Sequence, residues 1–147
     1  MSSWTDKRPM SPHTSIWKWH ITMASSILHR VTGVGNYIGI FIVVAWLFVT
    51  TTGQQNYEQF SAITGSIPGM VILFGFTLSV CYHLLNGIRH LFMDTGAALN
   101  PKTGSFMATL ALLAAILLAA VIFIAAGLVP GLDPLGFQSA SSKMGAA

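Results

Sequence analysis

Three apolar runs, residues 25–50, 67–94 and 105–129, take up most of this 147-residue chain. Each has at least the roughly 20 residues that a helix needs to cross a hydrocarbon layer. A helix satisfies its own backbone N–H and C=O groups there, where no water can. Composition agrees: 53% of the residues are hydrophobic and 7% are charged, with mean hydropathy +0.67, against about 25% charged in a soluble domain. An ordinary water-soluble globule is excluded. Three spans and short connections leave no residues for a separate catalytic domain, and no repeat or low-complexity tract divides the chain. The expected fold is an all-α membrane protein forming one domain over residues 1–147, with an N-terminal arm (1–24), three transmembrane helices and a Gly-, Pro-, Ser- and Ala-rich tail (130–147). That tail is expected to be poorly ordered without a partner.

The connections carry the expected punctuation. Residues 51–58 are polar and include Gly53, which should stop the first helix; residues 66–68 suit the start of the second, and residues 100–104 separate the second from the third. Lys7, Arg8, Lys18 and Arg30 precede or open the first span, the next loop has no Lys or Arg, Arg89 and Lys102 flank the following turn, and Lys143 follows the third span. The positive-inside bias then sets the N-terminus in the cytoplasm and the C-terminus in the periplasm. This asymmetry accounts for the net charge of +3 and a pI near 9.4. No basic run with interleaved aromatics points to nucleic acid. The first thirty residues lack both a signal-peptide pattern and an Arg-rich presequence, so a bacterial inner membrane is expected. Cys81, the single cysteine, reads as a buried packing residue. The tryptophans at 4, 17, 19 and 46 read as interfacial belt residues.

Ionisable residues at membrane depth cost on the order of 2.5–3.5 kcal/mol each and need partners or a function. In the second span, His83, Gly87, His90 and Asp94 fall within a stripe about 60° wide at 100° per residue, and Arg89 points elsewhere. Ser26, His29, Arg30 and Gly33 share one side of the first helix. Because consecutive spans are antiparallel, the two polar clusters meet at one depth, near the cytoplasmic interface.

Two chemistries suit this pairing, and they are compatible. A neutral imidazole is a good axial ligand for haem iron; Gly87, one turn from His83, leaves room for a macrocycle, and His29, Arg30 and His90 are basic groups for its propionates. Ser26 with Arg30 could hold the carbonyl oxygens of a quinone and stabilise the negative charge that reduction brings. Plainer roles exist for the same residues. The histidines could be hydrogen-bonded packing residues, Arg30 and Arg89 could snorkel to headgroups, and Ser26 could cap a helix. Asp94 at a helix C-terminus opposes the dipole, which argues for a specific partner or a proton path. One inward histidine supplies one ligand, and neither of the other spans offers a second, so a six-coordinate haem implies a partner chain. The third span has few polar groups and is expected to face lipid or to pack through the alanines at 108, 111, 115 and 119.

Residues 8–13 (Arg-Pro-Met-Ser-Pro-His), 26–33 (Ser-Ile-Leu-His-Arg-Val-Thr-Gly) and His83 followed by Asn86, Gly87, Ile88, Arg89, His90, Leu91 and Asp94 resemble the cytochrome b membrane-anchor subunits of succinate dehydrogenase, respiratory complex II. The likeness is closest to the alphaproteobacterial and mitochondrial type. It implies haem b shared with a second small membrane-anchor subunit, with His83 as the axial ligand contributed by this chain. It also implies His29, Arg30 and His90 around the propionates, and Ser26 and Arg30 at a ubiquinone site. Flavoprotein and iron–sulfur subunits would dock on the cytoplasmic side and deliver electrons from succinate, so the chain alone would catalyse nothing. A fumarate reductase anchor, working by quinol oxidation, and a haem-free membrane adaptor are the alternatives. The charge asymmetry is tested by labelling. With Cys81→Ser as background, an impermeant maleimide added to intact spheroplasts should spare Ser3→Cys and modify Ser141→Cys; the reverse pattern would overturn the orientation.

Overall fold

The computed structural model describes residues 16–96 and 100–129. The arm motif at residues 8–13, Lys7, and the tail with Lys143 lie outside them. The described chain is helical: α1 (Ile21–Thr51), α2 (Gln54–Thr64), α3 (Ile67–Asp94) and α4 (Pro101–Ala125). α1, α3 and α4 are long and apolar enough to cross a membrane. At 1.5 Å per residue, the 31 residues of α1 reach about 46 Å, more than the ~30 Å hydrocarbon layer.

The helix boundaries follow local chemistry. Ser66 caps α3, its hydroxyl accepting from the Gly69 N–H at 3.3 Å, with Pro68 in the first turn where a missing N–H costs nothing. Asn100 caps α4 by accepting from the Lys102 N–H at 3.0 Å, followed directly by Pro101. The third span therefore begins at Pro101 rather than 105, and the first begins at Ile21 rather than 25. Between α1 and α2 the chain turns at Gly53, whose φ of 106° lies where a side chain would be strained.

α2 is the element that the polarity of residues 51–58 concealed. That segment is mostly helix, not loop. Tyr57, Phe60, Ser61 and Thr64 recur at helical spacing and face Ile42, Val43, Trp46, Leu73 and Phe76 of the neighbouring helices across a cavity of about 310 Å³. No residue of α2 is fully buried. A short helix with one apolar face and one polar face suits the membrane interface.

α3 is central, packing on α4 and α1, with weaker contact between α1 and α4. The close approach of α3 and α4 comes from the alanines: Ala115 and Ala119 are 0% exposed, and Ala108 and Ala111 are buried with them. Small side chains let helix backbones approach where lipid removes the usual hydrophobic drive. Cys81 and Tyr82 complete this core, together with the half-buried Leu78, Leu85 and Leu112. Along α1, Gly39 receives the ring of Phe76, and a Cβ there would overlap it. Ala115→Leu should overpack the α3–α4 contact and destabilise the fold by about 1–3 kcal/mol. Thermal melting of the detergent-solubilised protein checks this, with Leu117→Ala on the exposed side of α4 as the near-neutral control.

Candidate functional site

The N-terminal turns of α1 lie against the C-terminal half of α3. His29 and His83 stack with ring centroids 4.0 Å apart and planes 11° from parallel. His90 sits against His29 at 5.3 Å, tilted by 56°. Three of the residues singled out in the sequence are thus one cluster. Gly33 makes the stack possible, because a Cβ there would stand 3.1 Å from the His83 Cε1. Around Gly87 there is more room, with His29 Cε1 3.9 Å from where a Cβ would be.

Hydrogen bonds fix the proton of His83. Its Nδ1 lies 3.1 Å from the His29 carbonyl oxygen and 3.4 Å from the Thr32 hydroxyl. The Thr32 proton is directed to the carbonyls of Leu28 and His29, each 2.9 Å away, so the hydroxyl meets His83 as an acceptor. Two acceptors require a proton on Nδ1, which leaves the Nε2 lone pair free. Orientation of a ligating imidazole by a carbonyl behind it is the usual support for metal binding. His29 and His83 stack while His90 is tilted against His29, so the rings do not converge on one point, and among the described residues no group of His, Cys, Asp or Glu is arranged to hold a bare metal ion. His29 Nδ1 is buried without a hydrogen-bond partner among the described residues.

Beside the histidines lies a knot of buried polar groups that the stripe argument missed. Asn86, 0% exposed, accepts at Oδ1 from the Ser25 hydroxyl (2.8 Å) and from Arg89 Nη1 (3.3 Å). Tyr82 donates toward Ser25, with its carbonyl and hydroxyl oxygens 3.0 and 3.1 Å away. Arg89 Nη2 donates to the Gly104 carbonyl of α4 at 3.4 Å, and Nε has no partner among the described residues. Arg89 is 4% exposed, so it does not snorkel to headgroups. Its position facing α4 follows from the same 100° rotation that takes it off the histidine stripe. Tyr82, Asn86 and Arg89 are spaced i, i+4, i+7, a periodicity that was legible but masked by the more conspicuous histidines. Deeper in the seam, the Ser79 hydroxyl bridges to the Thr32 carbonyl (3.2 Å) and to Asn36 (2.7 Å).

Ser26 and Arg30 lie on the same turns of α1 as this cluster but have no hydrogen bond to it. Ser26 is half-buried and Arg30 exposed. Ser26 does not cap the helix, since the cap position is His20, more than a full turn earlier. Asp94 is exposed and has no ion-pair partner among the described residues. The site has two arginines as its formal charges, the three histidines add polar ring nitrogens, and no carboxylate pairs with them among the described residues. It suits an anion or a group that becomes anionic.

The succinate dehydrogenase/fumarate reductase transmembrane subunit family model matches residues 5–126. The succinate dehydrogenase cytochrome b556 subunit of Rickettsia prowazekii is 37% identical over 119 residues, 81% of this chain and 93% of that protein. The cytochrome b556 subunit of Paracoccus denitrificans is 34% identical, covering 63% of this chain and 72% of its own length. The mitochondrial cytochrome b560 subunit of Sus scrofa is 36% identical, covering 63% and 56% respectively. Matched over most of its length and built around three membrane-crossing helices, the chain belongs to this family, as a cytochrome b membrane subunit of succinate dehydrogenase in the inner membrane.

Proposed function

We propose that the chain holds haem b through His83 and binds ubiquinone through Ser26 and Arg30, as the quinone-reducing end of succinate:ubiquinone oxidoreductase. One observation carries the reading: the His29 carbonyl and Thr32 hydroxyl commit the His83 proton to Nδ1 and free Nε2 for iron. The family name cytochrome b supports the same group. The seam fits it further, because His29 Nδ1 is buried and unpaired among the described residues and Gly87 puts no side chain against the His29 ring. Bound there, haem would supply a one-electron carrier between helices.

This chain's residues would divide the remaining work. His83 would ligate the iron, and a second small anchor subunit would supply the other ligand. Arg30 would offset the charge of the propionates, and His29 and His90 would be the ring nitrogens beside them. The Ser26 hydroxyl donates to a quinone carbonyl, and the exposed Arg30 guanidinium stabilises the negative charge that appears on that oxygen as electrons arrive. The cytoplasmic face near the start of α1 receives the iron–sulfur and flavoprotein subunits, which oxidise succinate. A free Nε2, on a ring whose Nδ1–H is held by two acceptors, favours this over a haem-free adaptor, which would need no such arrangement.

Reduced-minus-oxidised spectra of the purified complex test the ligand: His83→Leu should lose or alter the low-spin b-type signal, and an unchanged spectrum with unchanged haem content rejects it. For the quinone site, Ser26→Ala should raise the quinone KM several-fold or more, matching a hydrogen bond of about 1 kcal/mol net, or up to ~3 kcal/mol where the partner is left unsatisfied. Arg30→Leu should be worse. Succinate oxidation by a dye that takes electrons upstream should survive in both variants. Equal loss of dye-linked and quinone-linked activity in an assembled complex would reject the assignment.

A further inference from the structure

The hydrogen bonds of Asn86 have a direction that the sequence does not reveal. A guanidinium only donates, so the Asn86 atom 3.3 Å from Arg89 Nη1 must be the carbonyl oxygen. The Ser25 hydroxyl reaches that same oxygen at 2.8 Å. With Oδ1 held by two donors on opposite helices, the amide cannot flip, and its NH2 faces His90 Nε2 at 3.4 Å. An amide nitrogen only donates, so Nε2 must hold a lone pair. The His90 proton is then on Nδ1, which has no hydrogen-bond partner among the described residues.

We infer that Asn86, oriented by Arg89 and Ser25, is a positioning residue that holds His90 as an Nδ1–H donor to an oxygen of the bound redox group, the haem carboxylate. The identity of that oxygen rests on the function proposed above; the orientation of Asn86 and the proton on Nδ1 do not. Burial gives the lock its force. Asn86 is fully enclosed, Ser25 and Arg89 are nearly so, and no water competes for their bonds. Arg89 is also tied to the Gly104 carbonyl of α4, so the lock reaches from α1 through α3 to the third span. A cation buried beside apolar helices with few hydrogen bonds is costly as packing alone, and orienting Asn86 gives it a task.

Nuclear magnetic resonance of the complex with ¹³C,¹⁵N-labelled histidine tests this, using His90→Gln to assign the His90 signals. Nε2 is the ring nitrogen bonded to Cδ2, so a Cδ2 correlation identifies its protonation. The native complex should show an unprotonated His90 Nε2, and Arg89→Lys, which keeps a pure donor, should preserve it. Asn86→Asp is isosteric and gives Arg89 a carboxylate, so the fold should survive. Its oxygen can only accept, however, and the proton should move to Nε2. A protonated Nε2 in the native complex, or no change in Asn86→Asp, overturns the lock. In the haem-depleted His83→Leu complex the Nε2 signal should stay as it is while the Nδ1–H signal shifts. A shift on quinone extraction alone, or with neither removal, overturns the haem carboxylate as acceptor and leaves the test of the lock intact. If His83→Leu keeps its haem, the ligand reading fails, and the Asn86→Asp result still decides the lock.

Discussion

The absence of water at membrane depth governs the seam between α1 and α3. A polar side chain placed there must find a protein partner, and here the partners lie across the seam: Ser25 with Asn86, Tyr82 with Ser25, Ser79 with Thr32 and Asn36, and His83 with the His29 carbonyl. Each such bond contributes only about 0.6 kcal/mol on average between membrane helices. Their collective effect is on register. Rotating α1 by one residue, 100°, would strand most of them at once, and leaving a buried polar group unpaired costs more than a formed bond contributes. The glycines act in the same direction, since Gly33 admits the His83 ring and Gly39 admits Phe76 at one rotational setting only.

Two arginines one helix apart show how that setting divides labour. Arg30 on α1 faces outward and is exposed, free to meet a mobile molecule. Arg89 on α3 faces inward, enclosed between α3 and α4, and can meet only Asn86 and a backbone carbonyl. With no carboxylate beside either among the described residues, both leave positive potential in the cluster. Low dielectric magnifies it, which favours carboxylate and reduced carbonyl oxygens over neutral ones. The chemistry of the site is electrostatic before it is anything else.

The two flanking helices serve this seam differently. α4 presses on α3 through alanines, so α3 is held from behind as it offers its histidines to α1. α1 keeps a broad outward face, with Val31, Val34, Tyr37, Ile38, Phe41 and Phe48 exposed. That face meets the acyl chains of the bilayer or another membrane helix, both of which accept apolar surface without penalty.

The number of spans, their approximate limits and the histidine stripe were legible in the sequence because each rests on local physics: hydrocarbon thickness sets the length of an apolar run, and 3.6 residues per turn sets the face. His83 and His90 share one face of α3 as that periodicity required, and both lie against His29 of α1. α2 was not legible, because glutamine, asparagine and glutamate outweigh Tyr57 and Phe60 in composition even though the aromatic spacing is helical. Arg89 was misjudged for a related reason. Charge suggested a snorkelling end, whereas its fate was decided by Gly104 and Asn86, which only packing brings near it. Sequence alone determined that this chain crosses a membrane with histidines on one helical face, since hydrophobic length and helical period act within single segments. Tertiary structure alone decided that His83 carries its proton on Nδ1, since that depends on the carbonyl and hydroxyl oxygens that α1 sets against it.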